Sequence, residues 1–434
     1  MLPLHDLLLV GNLPNLIPMD CDILSTEGVR WRVRVALDAA EARSMLADSP
    51  PHVIACATIL HDTRGLALLE SLRVTHPETI RILVGETTDE AQSVRALTVA
   101  HRMVDPHRGQ FLRALTEAGH LLNHINNASV RRVLTEVSDL PARPSIHLSV
   151  SQAVRHPDHA ADEAAKTVTS DPTLAALVLR VANRGALHPH HAIGSVELAV
   201  RYLGLRTVEA IALLHGLGAP APGDAIATRR FETFLTHAEA SRVATEILCD
   251  VEGLEGDPRD NTITAALLHD IGVLILARYA PEKLTMAENA AKRAGVHRTV
   301  AEQAMFDCTH AEVGACMLAL WGLPAELTRA VAHHHRPDMD GRPGLTPALL
   351  IHVARSLART PITCDPDGPP EQWRALDIDL DALRRLGLDN RLPLWARTIR
   401  DRWPADLPPA PINRTPTAAS DSPVMTSQSG QRPN

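Results

Sequence analysis

Aromatic residues are scarce: two Tyr, four Phe and five Trp make up 3% of the 434 residues. Cores built without them rest on Leu, Val, Ile and Ala, and in alanine-rich stretches that composition favours helices. The six cysteines, Cys21, Cys56, Cys249, Cys308, Cys316 and Cys364, form no CxxC pair and are too sparse for a secreted disulfide scaffold. Reduced thiols in a cytoplasm are expected. The sequence lacks a run of about 18 apolar residues, and its N-terminus lacks the charged, apolar, small-residue order of a signal peptide. Both absences predict a cytoplasmic chain with no membrane partner. A dense basic stripe is missing too: 43 Lys+Arg against 51 Asp+Glu leave a net charge of −8, so direct nucleic-acid binding is not expected.

What is present is enough length and apolar content, 45%, for two folded units and a tail. Up to about residue 120, short β-compatible runs (7–10, 53–56 and 80–84) alternate with helical spacing at 39–46 and 66–72. That alternation predicts a parallel sheet wrapped by helices. From about residue 129 long amphipathic segments take over, which predicts an all-α second domain, joined to the first by a helix over 109–134. After Trp403 the chain turns to Pro, Ser, Thr and Asn and cannot bury enough apolar area to offset its ordering entropy. The expected boundaries are 1–122 for the front domain, 123–365 for the helical domain, 366–403 for a helical extension and 404–434 for a disordered tail.

The most informative stretch is 169–185. Asp171 is placed to cap a helix that begins at Pro172, Gly185 can close it, and Leu174, Leu177, Val178 and Val181 share one face. A second helix follows the same plan, with Gly194-Ser195 before it, Val196, Val200 and Leu203 along it, and Gly204 as its stop.

The order of elements in the front domain resembles the receiver domains of two-component signalling, which implies a flavodoxin-like, doubly wound α/β fold. Receivers carry an acidic pair, an Asp phosphoacceptor, Thr/Ser and Lys. Here those positions hold Gly11-Asn12, Ala57, Gly85 and Asp105. An alanine methyl supplies neither a nucleophile nor a Mg²⁺ ligand, so a degenerate receiver without phosphorylation is expected. Asp62, in the following loop, is read as a turn or cap residue.

The later motifs resemble the HDOD family: Ser-Asp-Pro-x-Leu at 170–174, Leu-x-Val-Ala-Asn at 179–183, Gly-Ser-Val-Glu-x-Ala at 194–199, Ala-Leu-Leu-His-Asp-Ile-Gly at 266–272, Thr-His-Ala-Glu-Val-Gly-Ala at 309–315, Trp-Gly-Leu-Pro at 321–324 and the run His333-His334-His335. The resemblance implies a helical domain related to HD-type phosphohydrolases, used in bacterial signalling and usually without catalytic activity.

It also implies a metal site. His237 matches the first ligand of a working HD hydrolase and His269-Asp270 the His-Asp pair. His310 and two of His333, His334 and His335 match the additional ligands of the related HD-GYP phosphodiesterases. The later acid falls on Arg355, which cannot ligate a cation, and the Lys after the HD-GYP motif is Val273. Three readings stay open: a vestigial hydrogen-bonded His269-Asp270 pair, a divalent ion (Mn, Fe or Mg) held at His237, His269, Asp270, His310, His334 and His335 without turnover, or true hydrolysis of a nucleotide or cyclic dinucleotide. No cofactor is firmly expected. The expected function is a non-catalytic regulator that binds signalling proteins or a nucleotide second messenger and pairs with itself through the front domain. A metal-dependent phosphohydrolase is the alternative.

Overall fold

The computed structural model describes residues 4–410 apart from 14–15, 18–22, 27–28, 77–78, 86–98, 101, 105, 125–127, 137–145, 155–159, 184–191, 217–224 and 322. Cys21, Asp105 and Gly185 lie outside the described residues, and the five described cysteines are unbridged.

The front domain is a six-stranded sheet: β1 (Leu4–Val10), β2 (Ile23–Thr26), β3 (Val29–Ala36), β4 (Val53–Ala57), β5 (Ile80–Val84) and β6 (Arg102–Val104), in the order β2-β3-β1-β4-β5-β6. All neighbours run parallel except β2, which pairs antiparallel with β3 at one edge. Without β2 the order is the doubly wound, flavodoxin-like one that the alternation predicts. β1, β4 and β5 are buried almost throughout, as parallel strands covered on both faces must be. The sequence reading missed β2, β3 and β6. In β3 the signal was available, because Val-Arg-Trp-Arg-Val-Arg-Val alternates with the period of a strand. Helices α1 (Ala39–Asp48) and α2 (Gly65–Thr75) stand where expected.

Ala57 ends β4, and the surrounding positions form an apolar plug. A Cβ added to Gly11 would lie 2.6 Å from Leu60 Cδ2 and 3.0 Å from Ala57 Cβ, and one at Gly85 would lie 2.4 Å from Thr58 Oγ1. Leu60 thus packs over Gly11 beside Ala57 and leaves no room there for a side chain. Asp62 is a cap: its Oδ1 accepts the Ala39 N–H at 3.0 Å and its Oδ2 the Ala40 N–H at 3.2 Å.

The joining segment is two helices rather than one, α3 (Arg108–His124) and α4 (Ala128–Glu136). Helices α5 (Ile146–Val154), α6 (Ala160–Thr169), α7 (Pro172–Ala182), α8 (Val196–Leu203) and α9 (Leu205–Gly216) follow. Asp171 caps α7 through the Thr173 and Leu174 N–H groups, and Ser195 caps α8. One expectation is corrected here: α7 has no single apolar stripe, and Leu177 is its least buried apolar residue. The helix is enclosed because α6, α8, α9 and the helix over Gly256–Leu268 pack around it; Arg180 also donates to the Ala100 carbonyl at 2.9 Å and stacks on Trp321 at 4.8 Å.

The rest comprises α10 (Ala225–Val251), α11 (Gly256–Leu268), α12 (Ile271–Tyr279), α13 (Pro281–Ala294), α14 (Arg298–Phe306), α15 (His310–Leu320), α16 (Ala325–His333), α17 (Pro347–Leu357), α18 (Pro370–Ala375), α19 (Leu380–Arg385) and α20 (Leu392–Arg402). The stretch Gly256–Tyr279 is the one described helical segment apolar and long enough to cross a membrane; its most apolar window is 72% buried inside the protein.

The extension is not an appendage. Trp373, Trp395 and Trp403 pack with α10 and α17 in a second core. The packed chain also runs past the expected boundary at 403: Trp403 Nε1 donates to the Leu407 carbonyl, and the Ala410 N–H donates to the Ala358 carbonyl at 2.8 Å. Leu407 and Ala410 cover apolar surface there, which offsets the ordering of the Pro-rich segment. Residues 411–434 lie outside the described residues.

Acetyl phosphate should leave the front domain unmodified. Intact-mass analysis after incubation with Mg²⁺ checks this, and a stoichiometric acyl-phosphate would contradict the Leu60 plug.

Candidate functional site: a histidine cluster at the floor of a basic cleft

His269 is the last cap of α11 and Asp270 precedes α12, so the pair sits at a helix-helix junction. Asp270 makes no capping bond, which leaves its carboxylate for the cluster, while the positive end of α12 favours its ionised form. His237 comes from the middle of α10, and His310 opens α15 behind a Thr309-Glu312 capping box. Glycines bring α12 and α15 together: a Cβ on Gly272 would lie 1.9 Å from the His310 carbonyl oxygen and 2.8 Å from the Gly314 nitrogen.

The three-histidine run, whose register the sequence left open, is resolved by the turn after α16. His334 and His335 enter the cluster, and His333 lies outside it. Asp270 then faces four imidazoles: His237 Nε2 at 3.6 Å, His269 Nε2 at 3.6 Å, His310 Nε2 at 3.2 Å and His334 Nε2 at 3.5 Å.

The far ring nitrogens set the tautomers. Nδ1 of His269 donates to the Ala266 carbonyl and Nδ1 of His334 to the Val331 carbonyl, both at 2.7 Å. Nδ1 of His310 donates to Glu302 at 2.6 Å, and Arg298 holds the other oxygen of Glu302 at 2.6 Å. The Nε2 lone pairs of His269 and His334 therefore point at a carboxylate that is itself an acceptor. His334 Nε2 and His237 Nδ1 are buried without a hydrogen-bond partner.

These facts correct the reading of His269-Asp270 as a self-satisfied hydrogen-bonded pair: His269 Nε2 has no proton to give. A cation fits instead. Metal–ligand bonds of about 2.1 Å imply ligand–ligand separations of roughly 3.0–3.4 Å, close to the 3.3 Å between the Nε2 atoms of His237 and His269 and to the distances around Asp270. Outer partners on the Nδ1 atoms are the usual companions of metal-ligating histidines.

Charge states agree. Burial pushes His237 well below the ordinary 6.5, lowers His269 and takes His334 down to about 3, so these rings are neutral donors. His310 differs: against burial, Glu302 and Asp270 raise it, making it the most basic ring of the group.

Arg355 is where the sequence placed it, 1% exposed and in the cluster. Its Nη2 donates to His335 Nδ1 at 2.9 Å and to Asp377 Oδ2 at 2.8 Å. A guanidinium only donates, so Nδ1 of His335 accepts and neutral His335 carries its proton on Nε2, which donates to His310 Nε2 at 2.9 Å. Arg355 thereby removes the lone pair that a second cation at Asp270, His310, His334 and His335 would need.

The sequence reading missed Glu302, Arg298, His297 and Asp377. Asp377, from the loop between α18 and α19, lies 3.1 Å from His297 Nε2, and no spacing in the chain connects it with the histidines. The cluster floors a cleft of ≈ 1290 Å³ that also exposes Arg229, Lys292, Arg359 and Arg374. None of these four has a carboxylate partner among the described residues, whereas Arg230 pairs with Glu288.

Residues 140–337 match the HDOD domain. That stretch carries the HDOD motifs and follows an α/β domain with a mainly parallel sheet. A Treponema pallidum (strain Nichols) protein, described as uncharacterized, is 24% identical over 208 residues; these are 47% of this chain and 39% of that protein, so the chain spans about two-fifths of its relative. Among solved structures, the MmoQ response regulator of Methylococcus capsulatus str. Bath is 23% identical over 60% of this chain and 98% of its own, with a TM-score of 0.43. An HDOD domain protein with unknown function from Geobacter sulfurreducens is 19% identical over 62% and 96%, with a TM-score of 0.33. Arg355 and Asp377 lie C-terminal to the matched domain.

Replacing Gly272 with Ala should force α12 and α15 apart at a cost of about 1–3 kcal/mol, read as a lower urea midpoint. A variant with wild-type stability would contradict the close approach.

Proposed function

We propose that this is a cytoplasmic signalling regulator whose HDOD domain holds one divalent metal ion and captures an anionic small-molecule signal in the basic cleft without hydrolysing it. The observation that carries the reading is the Arg355 hydrogen bond to His335 Nδ1. It supports one cation rather than two, because the second position is left with a protonated imidazole edge and a guanidinium beside it.

His237, His269, Asp270 and His334 would hold the ion, with His310 within reach. Several imidazoles and one carboxylate suit a transition cation such as Fe²⁺ or Mn²⁺ better than the oxygen-seeking Mg²⁺. When bound, such an ion would polarise an anionic ligand's oxygen. A second divalent ion would meet Arg355 without an added carboxylate to balance it. The front domain, with Leu60 packed over Gly11 beside Ala57, serves in this reading as a docking or self-association unit for signalling partners.

Protein purified without chelator should contain close to one equivalent of transition metal, and Asp270→Asn should lose most of it. Assays with a cyclic dinucleotide and with guanosine tetraphosphate should give no multiple turnover. Two equivalents together with sustained cleavage would replace this reading by the phosphohydrolase one.

A further inference from the structure

The cleft contains more positive charge than its carboxylates balance, and the imbalance is sharpest beside the cluster. Arg355 lies in the last turn of α17 and Arg359 two residues past its end, close enough for the two charges to repel. Asp377 faces them, yet it accepts a hydrogen bond only from Arg355 of the pair, through Nη2 at 2.8 Å. The Nε atoms of Arg355 and of Arg359 are both buried without a partner. Guanidinium forks are best satisfied by a planar or tetrahedral oxyanion taken through two N–H groups, and a single Asp377 oxygen falls short of that for two arginines. Burial and the neighbouring Arg355 lower the Arg359 pKa to about 10, so it remains charged at neutral pH.

The way Asp377 is delivered is also unusual. It adopts φ +65°, a left-handed conformation that few non-glycine residues take. Its loop is tied down on the other side by the Asp379 N–H, which donates to His352 Nε2 at 2.9 Å, while His352 Nδ1 donates to the His334 carbonyl at 2.9 Å. The extension thus places one carboxylate at the mouth of an arginine pair that opens onto the same cleft as Asp270.

We propose that Arg355 and Arg359 form a subsite for a phosphate group of the cleft's ligand, and that Asp377 is an internal carboxylate standing in for that phosphate until the ligand displaces it. A phosphate brings more negative charge and three acceptor oxygens, enough to take both free Nε–H groups and the Nη2–H that Asp377 now holds. The inference rests on the cleft being a ligand site, as proposed above, but it does not require the cation.

Titration calorimetry of the full chain with inorganic pyrophosphate, in EDTA, tests it. Wild-type protein should bind, Arg359→Gln should bind about tenfold or more weakly, and Arg359→Lys should recover part of the loss. Asp377→Asn keeps a residue that tolerates positive φ and removes the competing charge, so it should bind pyrophosphate severalfold more tightly. A merely structural Asp377 would give the opposite sign. The proposal is overturned if pyrophosphate binds neither the wild type nor Asp377→Asn, or if Asp377→Asn binds more weakly than wild type while retaining its urea midpoint. Because EDTA removes the ion, binding here alongside a negative metal analysis would leave the subsite standing and remove the metal reading, and the converse result would do the reverse.

Discussion

Asp270 is a half-buried carboxylate facing imidazole nitrogens at 3.2–3.6 Å, and the lone pairs of His269 and His334 point towards it rather than N–H groups. Burying acceptors against one another is costly unless a cation or proton lies between them. The surrounding structure serves to keep that arrangement. Backbone carbonyls and Glu302 hold the far ring nitrogens, Gly272 lets the His310 backbone approach, and the turn after α16 sends His334 and His335 inward while His333 stays out.

Arg355 changes what that arrangement can do. In a site built for two ions the corresponding place would add a negative charge; here it adds a positive one and fixes the proton of His335 on the wrong nitrogen for ligation. The acid that does reach this region, Asp377, arrives from the extension and is engaged by Arg355 and His297. The chemistry of the cluster is therefore set partly by residues beyond the matched domain, in a segment whose own core rests on Trp373, Trp395 and Trp403.

Much of this was legible in the chain because the relevant signals are local. The strand and helix alternation, the Asp171 and Ser195 caps, Ala57 at the end of its strand, and His269, Asp270, His310 and the histidine run at 333–335 come from short motifs, while His237 rested on the family resemblance alone. What was not legible depends on long-range placement. Leu60 filling the space beside Gly11, Glu302 behind His310, and Asp377 against Arg355 are tertiary contacts that no periodicity encodes. The enclosure of Leu177's helix on nearly every side was missed for the same reason, since helices distant in the chain, such as Gly256–Leu268, supply the extra face. The tail boundary failed because composition reports average polarity, while two apolar residues, Leu407 and Ala410, were enough to hold the chain to its core as far as 410.

The proton of His335 decides whether a second cation can be held. Long-range ¹⁵N–¹H correlation spectra of histidine-labelled, metal-free protein, assigned with single His→Gln variants, report which ring nitrogen carries hydrogen. His335 should show Nε2–H, and His269 and His334 should show Nδ1–H. An Nδ1–H signal at His335, with its Nε2 lone pair free, would contradict that proton placement.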